Sequence, residues 1–132
     1  VQGYGGVTGT AFPLVAGESY FVQLKNTVAT KDYIIVGSHD PGLVLNLDSV
    51  TGTGINSFSY PYHSTAGNAK DLIDEVNGFV GGSVVSVGYW NIASDSITSY
   101  EGLTGTAFDL VPGEGYFVQV QLDVTNYVPS HY

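Results

Sequence analysis

Residues 6–24 read GVTGTAFPLVAGESYFVQL, and residues 102–120 read GLTGTAFDLVPGEGYFVQV. Aligned without a gap over 4–24 and 100–120, the two stretches are identical at 15 of 21 positions. Their offset of 96 residues (102 − 6) is longer than the common solenoid repeats, whose periods are about 20–50 residues. The duplication therefore indicates reuse of a domain-sized unit rather than a short repeat.

The position of the two copies divides the chain into unequal parts. Residues 40–132 are predicted to form one full repeat unit, and residues 1–39 correspond to the C-terminal third of a unit. A chain of 132 residues lies within the usual size of one domain. We therefore predict a single domain over 1–132 that contains one partial and one full unit.

Composition favours an exported, β-rich protein. The chain has 43% hydrophobic and only 11% charged residues, far from the composition of disordered chains, and its aromatic and β-branched residues suit strands. A net charge of -9 would repel nucleic acid and anionic lipid, and no apolar run is long enough to span a membrane. Acidic charge, few Lys and abundant Gly, Ser, Thr and Tyr favour a secreted or cell-surface location, with which the absence of Cys is compatible.

Alternating apolar and polar residues predict several strands. LVLNLDSV at 43–50 and INSFSYPYH at 55–63 read as strands, and residues 83–91 and 96–102 flank a short loop, as in a hairpin. In the last strand one face carries the residues Tyr116, Val118, Val120, Leu122 and Val124. The same pattern in the first copy predicts that the side chains pointing inward there are Tyr20, Val22 and Leu24.

One segment has helical periodicity. Apolar residues recur at helical spacing, at Ala69, Leu72, Ile73 and Val76. They predict a helix over about 68–77, with Thr65 or Asn68 as its N-cap and Gly78 at its end. A helix of this length is not stable alone in water, so its apolar stripe must lie against a sheet. The predicted fold class is α+β and β-rich, with an antiparallel sheet or sandwich and one short helix.

These segments together resemble a known kind of repeat module. The run from AKDLIDEVN (69–77) through YWNIASDSITSYEG (89–102) to PGEGYFV (112–118) is similar to modules of large secreted and surface bacterial proteins, in which a short helix precedes a Trp-bearing hairpin and a terminal strand. The resemblance covers about residues 55–124. It implies a small exported α+β module with a structural or accessory role, and it implies no reaction.

No pattern in the sequence predicts catalysis. His39 and His131 occupy equivalent repeat positions, which favours a structural role, and His63 stands alone. Ser38, His39 and Asp40 are adjacent in sequence, but catalytic triads are assembled by the fold and need an oxyanion hole. GxSxG, HExxH and phosphate-loop motifs are absent from the sequence. We predict no enzyme, no cofactor and no metal site, and interpret the acidic loops as solvated surface rather than calcium ligands.

Aromatic residues offer a candidate binding site. Tyr89 and Trp90 point to opposite faces of one strand, and Tyr100 lies on the facing arm of the hairpin. An exposed aromatic platform stacks on sugar rings, so these three residues form a candidate glycan site. We favour core packing for Trp90, because Trp commonly fills a core against a helix.

The sequence therefore predicts an extracellular, non-catalytic structural module of a surface assembly. Its candidate assembly strand comprises Tyr20, Phe21, Val22, Gln23 and Leu24. Residues 1–33 either add to the sheet of their own chain or pair with a neighbouring molecule in a filament, and we favour the second. The predicted partners are copies of the chain or other surface proteins, with neither nucleic acid nor membrane insertion. Carbohydrate binding is the alternative function, and a hydrolase is the weaker one.

Overall fold

The computed structural model describes residues 4–5, 8–9, 11–20, 22, 40–102 and 104–131, with 4–5 and 8–9 described by their backbone alone. In chain order the elements are β1 (Tyr4–Gly5), β2 (Thr8–Gly9), β3 (Leu45–Leu47), a short 3-10 helix (Thr51–Gly54), β4 (Ile55–Ser59), α1 (Ala69–Phe79), β5 (Val84–Asn91), β6 (Ser96–Tyr100), β7 (Gly115–Val120) and β8 (Val124–Tyr127).

The larger sheet has four antiparallel strands in the order β4, β7, β5, β6. β7 lies inside this sheet, and its alternation is as predicted: Tyr116, Val118 and Val120 are buried, whereas Phe117 and Gln119 are half-buried. We call the side that carries Tyr116 the inner face and the side that carries Phe117 the outer face. β5 and β6 form the predicted hairpin.

The predicted helix is present as α1 and packs on β5. Asn68 is its N-cap, since its side chain accepts hydrogen bonds from the backbone N–H groups of Lys70 and Asp71 at 2.9 and 3.0 Å. The predicted apolar stripe is buried, with exposed fractions of 1% for Leu72, 6% for Ile73 and 1% for Val76. The periodicity of the sequence thus identified the buried face of the helix.

The prediction that Gly78 ends the helix is wrong. Gly78 is helical and the helix continues through Phe79, whose ring lies 5.9 Å from that of Tyr127. The left-handed conformation falls instead on Gly82, at φ 69°, in the turn that leads into β5. The backbone N–H of Val80 donates to Val76 O at 2.9 Å, so helical hydrogen bonding continues past Gly78.

A smaller antiparallel sheet joins β3 to β8, with Leu45 opposite Tyr127. Leu45, Leu47, Val124 and Tyr127 are all buried, and one cluster of apolar side chains connects this sheet with α1 and the inner face of the larger sheet. The Tyr127 hydroxyl donates a hydrogen bond of 2.6 Å to Glu75 Oε1. The described residues therefore have the predicted β-rich α+β fold, with antiparallel sheets and one short α-helix.

Leu122 does not share the buried face that the alternation predicted. The chain bends at 121–122 and leaves the larger sheet to form β8, so Leu122 is 49% exposed while Val124 is fully buried. The backbone N–H of Gln121 donates to Ser83 O at 2.8 Å, which marks the end of pairing with the larger sheet. The period of two is interrupted because one run of sequence serves two sheets.

The prediction that Tyr20, Val22 and Leu24 point inward is wrong for Tyr20 and Val22, the two that the structure describes. Tyr20 is 36% exposed and Val22 is 69% exposed, and neither residue belongs to a strand. Phe21, Gln23 and Leu24 lie outside the described residues, as does His39. Sequence identity with β7 did not give residues 20 and 22 the buried environment of β7.

Candidate functional site

The duplicated phrase forms the same local structure twice. In the first turn motif (residues 12–20), the Tyr20 hydroxyl accepts a hydrogen bond from the backbone N–H of Val15 at 2.8 Å and donates one to Glu18 Oε2 at 3.0 Å. Gly17 has φ 87°, which a residue without a Cβ adopts easily. The rings of Phe12 and Tyr20 stack at 5.8 Å.

The second turn motif (residues 108–116) repeats each feature at equivalent positions. Tyr116 accepts from the backbone N–H of Val111 at 2.8 Å and donates to Glu114 Oε2 at 3.3 Å, Gly113 has φ 85°, and the rings of Phe108 and Tyr116 stack at 6.1 Å. The local sequence therefore determines the turn independently of its surroundings. The match is confined to the turn, because Tyr20 and Val22 belong to no strand whereas Gly115–Val120 form β7.

The two motifs differ in what covers them. In the second motif, Phe108 packs edge-on against Tyr89 at 4.7 Å and Tyr116 packs against Tyr60 at 6.3 Å, so Tyr116 is only 1% exposed. Burial raises the pKa of Tyr116. Leu110 is also buried, and its backbone N–H donates to Gly67 O at 3.0 Å. The full unit thus covers the second motif with its helix start, hairpin and β4 end.

The first motif presents its apolar residues to solvent. Leu14 is 77% exposed and Val15 is 49% exposed, and Tyr20 and Val22 of the same short segment are exposed as well. We call residues 12–22 the assembly segment, described here at 12–20 and 22. Large apolar side chains grouped on a surface commonly mark an interaction site.

The assembly segment also contacts the full unit of the same chain, at the edge of β4 that faces away from β7. The backbone N–H of Ser59 donates to Gly17 O at 2.9 Å, and a Cβ at Gly17 would lie 2.5 Å from Leu45 Cδ2. Ser19 packs against Gly115, its equivalent in the second copy. An open cavity of about 450 Å³ lies beside this contact, between residues 15–18, β3 and β4.

The three residues of the predicted glycan site do not come together. Tyr100 is buried at 8% exposure on the inner face, and Tyr89 is half-buried against Phe108. Trp90 is 42% exposed on the outer face, so the expected core packing of Trp90 is wrong as well. Trp90 shares a face with Gly88 and lies opposite Ile97, away from the helix, because alternation along β5 sends it to the other side of the sheet.

The outer face that carries Trp90 is uncharged. Its positions, taken from strand alternation, are Ile55, Ser57, Ser59, Ser86, Gly88, Trp90, Ile97, Ser99, Gly115, Phe117 and Gln119. A groove of about 160 Å³ crosses it over Gly88, where a Cβ would lie 3.1 Å from Ile97 Cγ2. Our sequence analysis missed this groove, although the alternation of Ser86, Gly88 and Trp90 is visible in the sequence.

Several of the described acids and both described histidines have structural contacts. His131 Nδ1 lies 3.2 Å from Pro129 O, and the ring of His63 packs edge-on against Tyr62 at 5.1 Å. Asp48 and Asp123 accept hydrogen bonds from the loop at 49–51. Within the described part of the chain no three His, Asp or Glu side chains are grouped as a metal site would need, and no helix there is long and apolar enough to cross a membrane.

We compared the chain with known protein families, curated proteins and solved structures. No family model, no curated protein and no solved structure matches it.

Proposed function

We propose that this protein is an extracellular, non-catalytic structural module of a surface assembly, and that the assembly segment joins it to a neighbouring molecule. One observation carries the proposal: the same turn motif occurs twice, once buried at Tyr116 and once exposed at Tyr20. A preformed motif that shows its apolar side to water is suited to a partner that covers it.

The strand predicted after the turn is the part of the assembly segment that would pair with the neighbouring molecule. Tyr20, Phe21, Val22, Gln23 and Leu24 repeat the sequence of β7, a strand with neighbours on both sides. In the proposed assembly these residues add as a strand to a neighbouring copy or another surface protein. A head-to-tail contact of this kind leaves an open filament, since it does not close on itself. The proposed secreted or cell-surface location rests on the acidic composition, which is poor in Lys and rich in Gly, Ser, Thr and Tyr.

The oligomeric state of the intact chain tests this role. Leu14→Ser together with Val22→Ser should abolish self-association in light scattering after size exclusion, because both side chains are well exposed and their loss leaves the fold intact. The control is Val50→Ser with Ile92→Ser, which removes two equally exposed apolar residues, 83% and 88% exposed, from other surfaces. A monomeric parent protein, or equal loss of association in both variants, would contradict the proposal.

Carbohydrate binding is a second candidate, which the exposure of Trp90 on an uncharged face favours. An indole beside hydroxyl and amide groups stacks on a neutral sugar ring, and Ser99 and Gln119 line the adjacent groove. Retention on one insoluble polysaccharide should be lost in Trp90→Ala and kept in Tyr62→Ala, an exposed aromatic elsewhere in the chain. Absence of retention, or its survival in the Trp90 variant, would contradict this candidate.

A further inference from the structure

The second turn motif shows what covers a motif of this kind. The start of α1 lies antiparallel to it: the backbone N–H of Ala69 donates to Phe108 O at 2.9 Å, and that of Leu110 donates to Gly67 O at 3.0 Å. Tyr89 packs edge-on against Phe108, and Leu110 is only 6% exposed. We call Gly67, Ala69 and Tyr89 together the cover.

The first turn motif has the same backbone and side-chain groups without a cover. By the offset of 96 residues, Phe12 and Leu14 are the equivalents of Phe108 and Leu110. Leu14 is 77% exposed where Leu110 is buried, although the two turns have the same internal hydrogen bonds. Over the described residues, no backbone group pairs with Phe12 or Leu14. The two motifs therefore differ in their cover and not in their local structure.

One substitution between the two motifs leaves the same pairing possible. Pro13 stands where the second motif has Asp109, and proline has no backbone N–H. Asp109 lies opposite Asn68, and the hydrogen bonds of this bridge are made by the residues on either side of Asp109. The N–H group that Pro13 lacks is therefore one that the cover does not use.

The contact of the first motif with its own chain is compatible with a cover. In that contact the carbonyl oxygen of Gly17 accepts a hydrogen bond from Ser59. The equivalent glycine of the second motif, Gly113, binds the full unit through its N–H, which donates to Tyr60 O at 3.3 Å. Because the two contacts use different groups of the glycine, one does not exclude the other.

We propose that the first turn motif binds a second unit of the same repeat type, carried by a neighbouring surface protein, whose own cover packs on Phe12 and Leu14. That unit lacks its C-terminal third, because in an intact copy of this chain the cover is already filled by Leu110. The first motif supplies the missing third, and residues 20–24 take the place that β7 has between β4 and β5.

This inference rests on the proposed function, because both treat the assembly segment as an interface. It identifies the partner that fits this interface as the first two thirds of a unit like residues 40–132. Without such a unit, intact copies share the exposed side chains of the assembly segment with one another.

A fusion protein tests the fit. Residues 40–96 are placed directly before Val1 of the full chain, so that the first copy follows them as the second copy does in the natural sequence. A partner within the same molecule has a high effective concentration. In dilute solution, Leu14→Cys should react with a thiol reagent about tenfold more slowly in the fusion than in the parent chain, because residue 14 becomes covered. The chain has no Cys of its own to interfere.

Two controls separate a specific fit from crowding by the added residues. Leu122→Cys, at a site 49% exposed on the full unit, should react at the same rate in both proteins. An added segment of the same composition in scrambled order should leave the rate at Leu14→Cys unchanged. Equal rates at Leu14→Cys in fusion and parent, or equal slowing in either control, would overturn the proposal. So would an added segment that circular dichroism shows to be unfolded, since the first motif should complete it.

The same proteins separate this inference from the proposed function. If the parent chain is monomeric in light scattering but residue 14 is protected in the fusion, the proposed self-association fails and this inference stands. If the parent chain associates but residue 14 reacts equally in both proteins, the inference fails alone. Protection should also make Leu14→Ser lower the urea midpoint of the fusion while leaving that of the parent chain unchanged, and an unchanged fusion would count against the inference.

Discussion

At the residue scale, Gly54 and Gly78 predict opposite effects of the same substitution. Gly54 has φ 75°, and a Cβ there would lie 2.0 Å from the carbonyl oxygen of Val120, whereas Gly78 is helical with no atom within 4 Å of that position. Gly54→Ala should lower the free energy of unfolding by about 1–3 kcal/mol or more. Gly78→Ala should raise it by about 0.5–1 kcal/mol.

Urea unfolding of the two glycine variants measures both effects. The comparison is controlled internally, because the same methyl group is added at each position. A destabilised Gly78→Ala variant would mean that residue 78 adopts a left-handed conformation and ends the helix, as its sequence position first suggested. A neutral Gly54→Ala variant would mean that the turn between the 3-10 helix and β4 adapts without loss of its contact with β7.

At the element scale, the two turn motifs allow one hydrogen bond to be tested in two environments. Tyr116→Phe removes the acceptor for the Val111 N–H in a partly buried turn, and should lower the free energy of unfolding by about 1–2 kcal/mol. Tyr20→Phe removes the equivalent acceptor for Val15, where water can replace it, and should change stability by less than about 0.5 kcal/mol. Equal effects in thermal unfolding would show that the first motif is as well covered as the second.

Another element, the loop at 48–51, is held by carboxylates. Asp48 accepts from the backbone N–H groups of Val50 and Thr51 and from the Thr51 hydroxyl, and Asp123 accepts from Ser49. The bond from Val50 is the main cause that lowers the pKa of Asp48, and the backbone bond from Ser49 does the same for the pKa of Asp123.

This linkage predicts a pH dependence of stability. Because both folded-state pKa values lie below those of the unfolded chain, the stabilisation is present above about pH 4 and is lost as pH falls through the folded values. Asp48→Asn with Asp123→Asn should therefore flatten the fall of the urea midpoint on acidification. Asp95→Asn with Asp109→Asn removes the same number of charges from other exposed positions and should retain the steeper fall. Identical profiles for the two double variants would contradict the assignment.

At the scale of the whole molecule, a single buried cluster predicts cooperative unfolding. Leu72 lies in the buried cluster that joins α1 with the four-stranded sheet and with the β3–β8 sheet. Leu72→Ala should lower the free energy of unfolding by about 2–5 kcal/mol through the cavity it leaves. Val50→Ala, at a residue 83% exposed, is the control and should cost little. Circular dichroism and Trp90 fluorescence should report one shared transition, and separate midpoints would contradict a common core.

Much of the fold was predictable because local patterns decided it. Helical spacing identified the buried stripe of α1, alternation identified the inner face of β7, and the IASD loop at 92–95 identified the hairpin. The candidate binding residues were less predictable. Trp90 and Tyr100 have similar local sequence signals, yet one is exposed and the other buried, because the side of the sheet that α1 covers depends on packing.

By itself the sequence determined the two turn motifs, since hydrogen bonds within nine residues and a left-handed glycine are enough to form each one, wherever it lies. It also narrowed the helix cap to Thr65 or Asn68 and determined the alternation in β7. Only the tertiary structure decided that Tyr116 is buried and Tyr20 exposed, that Leu122 leaves the core, and that Trp90 faces outward. These outcomes depend on contacts between residues far apart in the chain, and identical local sequences cannot specify different neighbours.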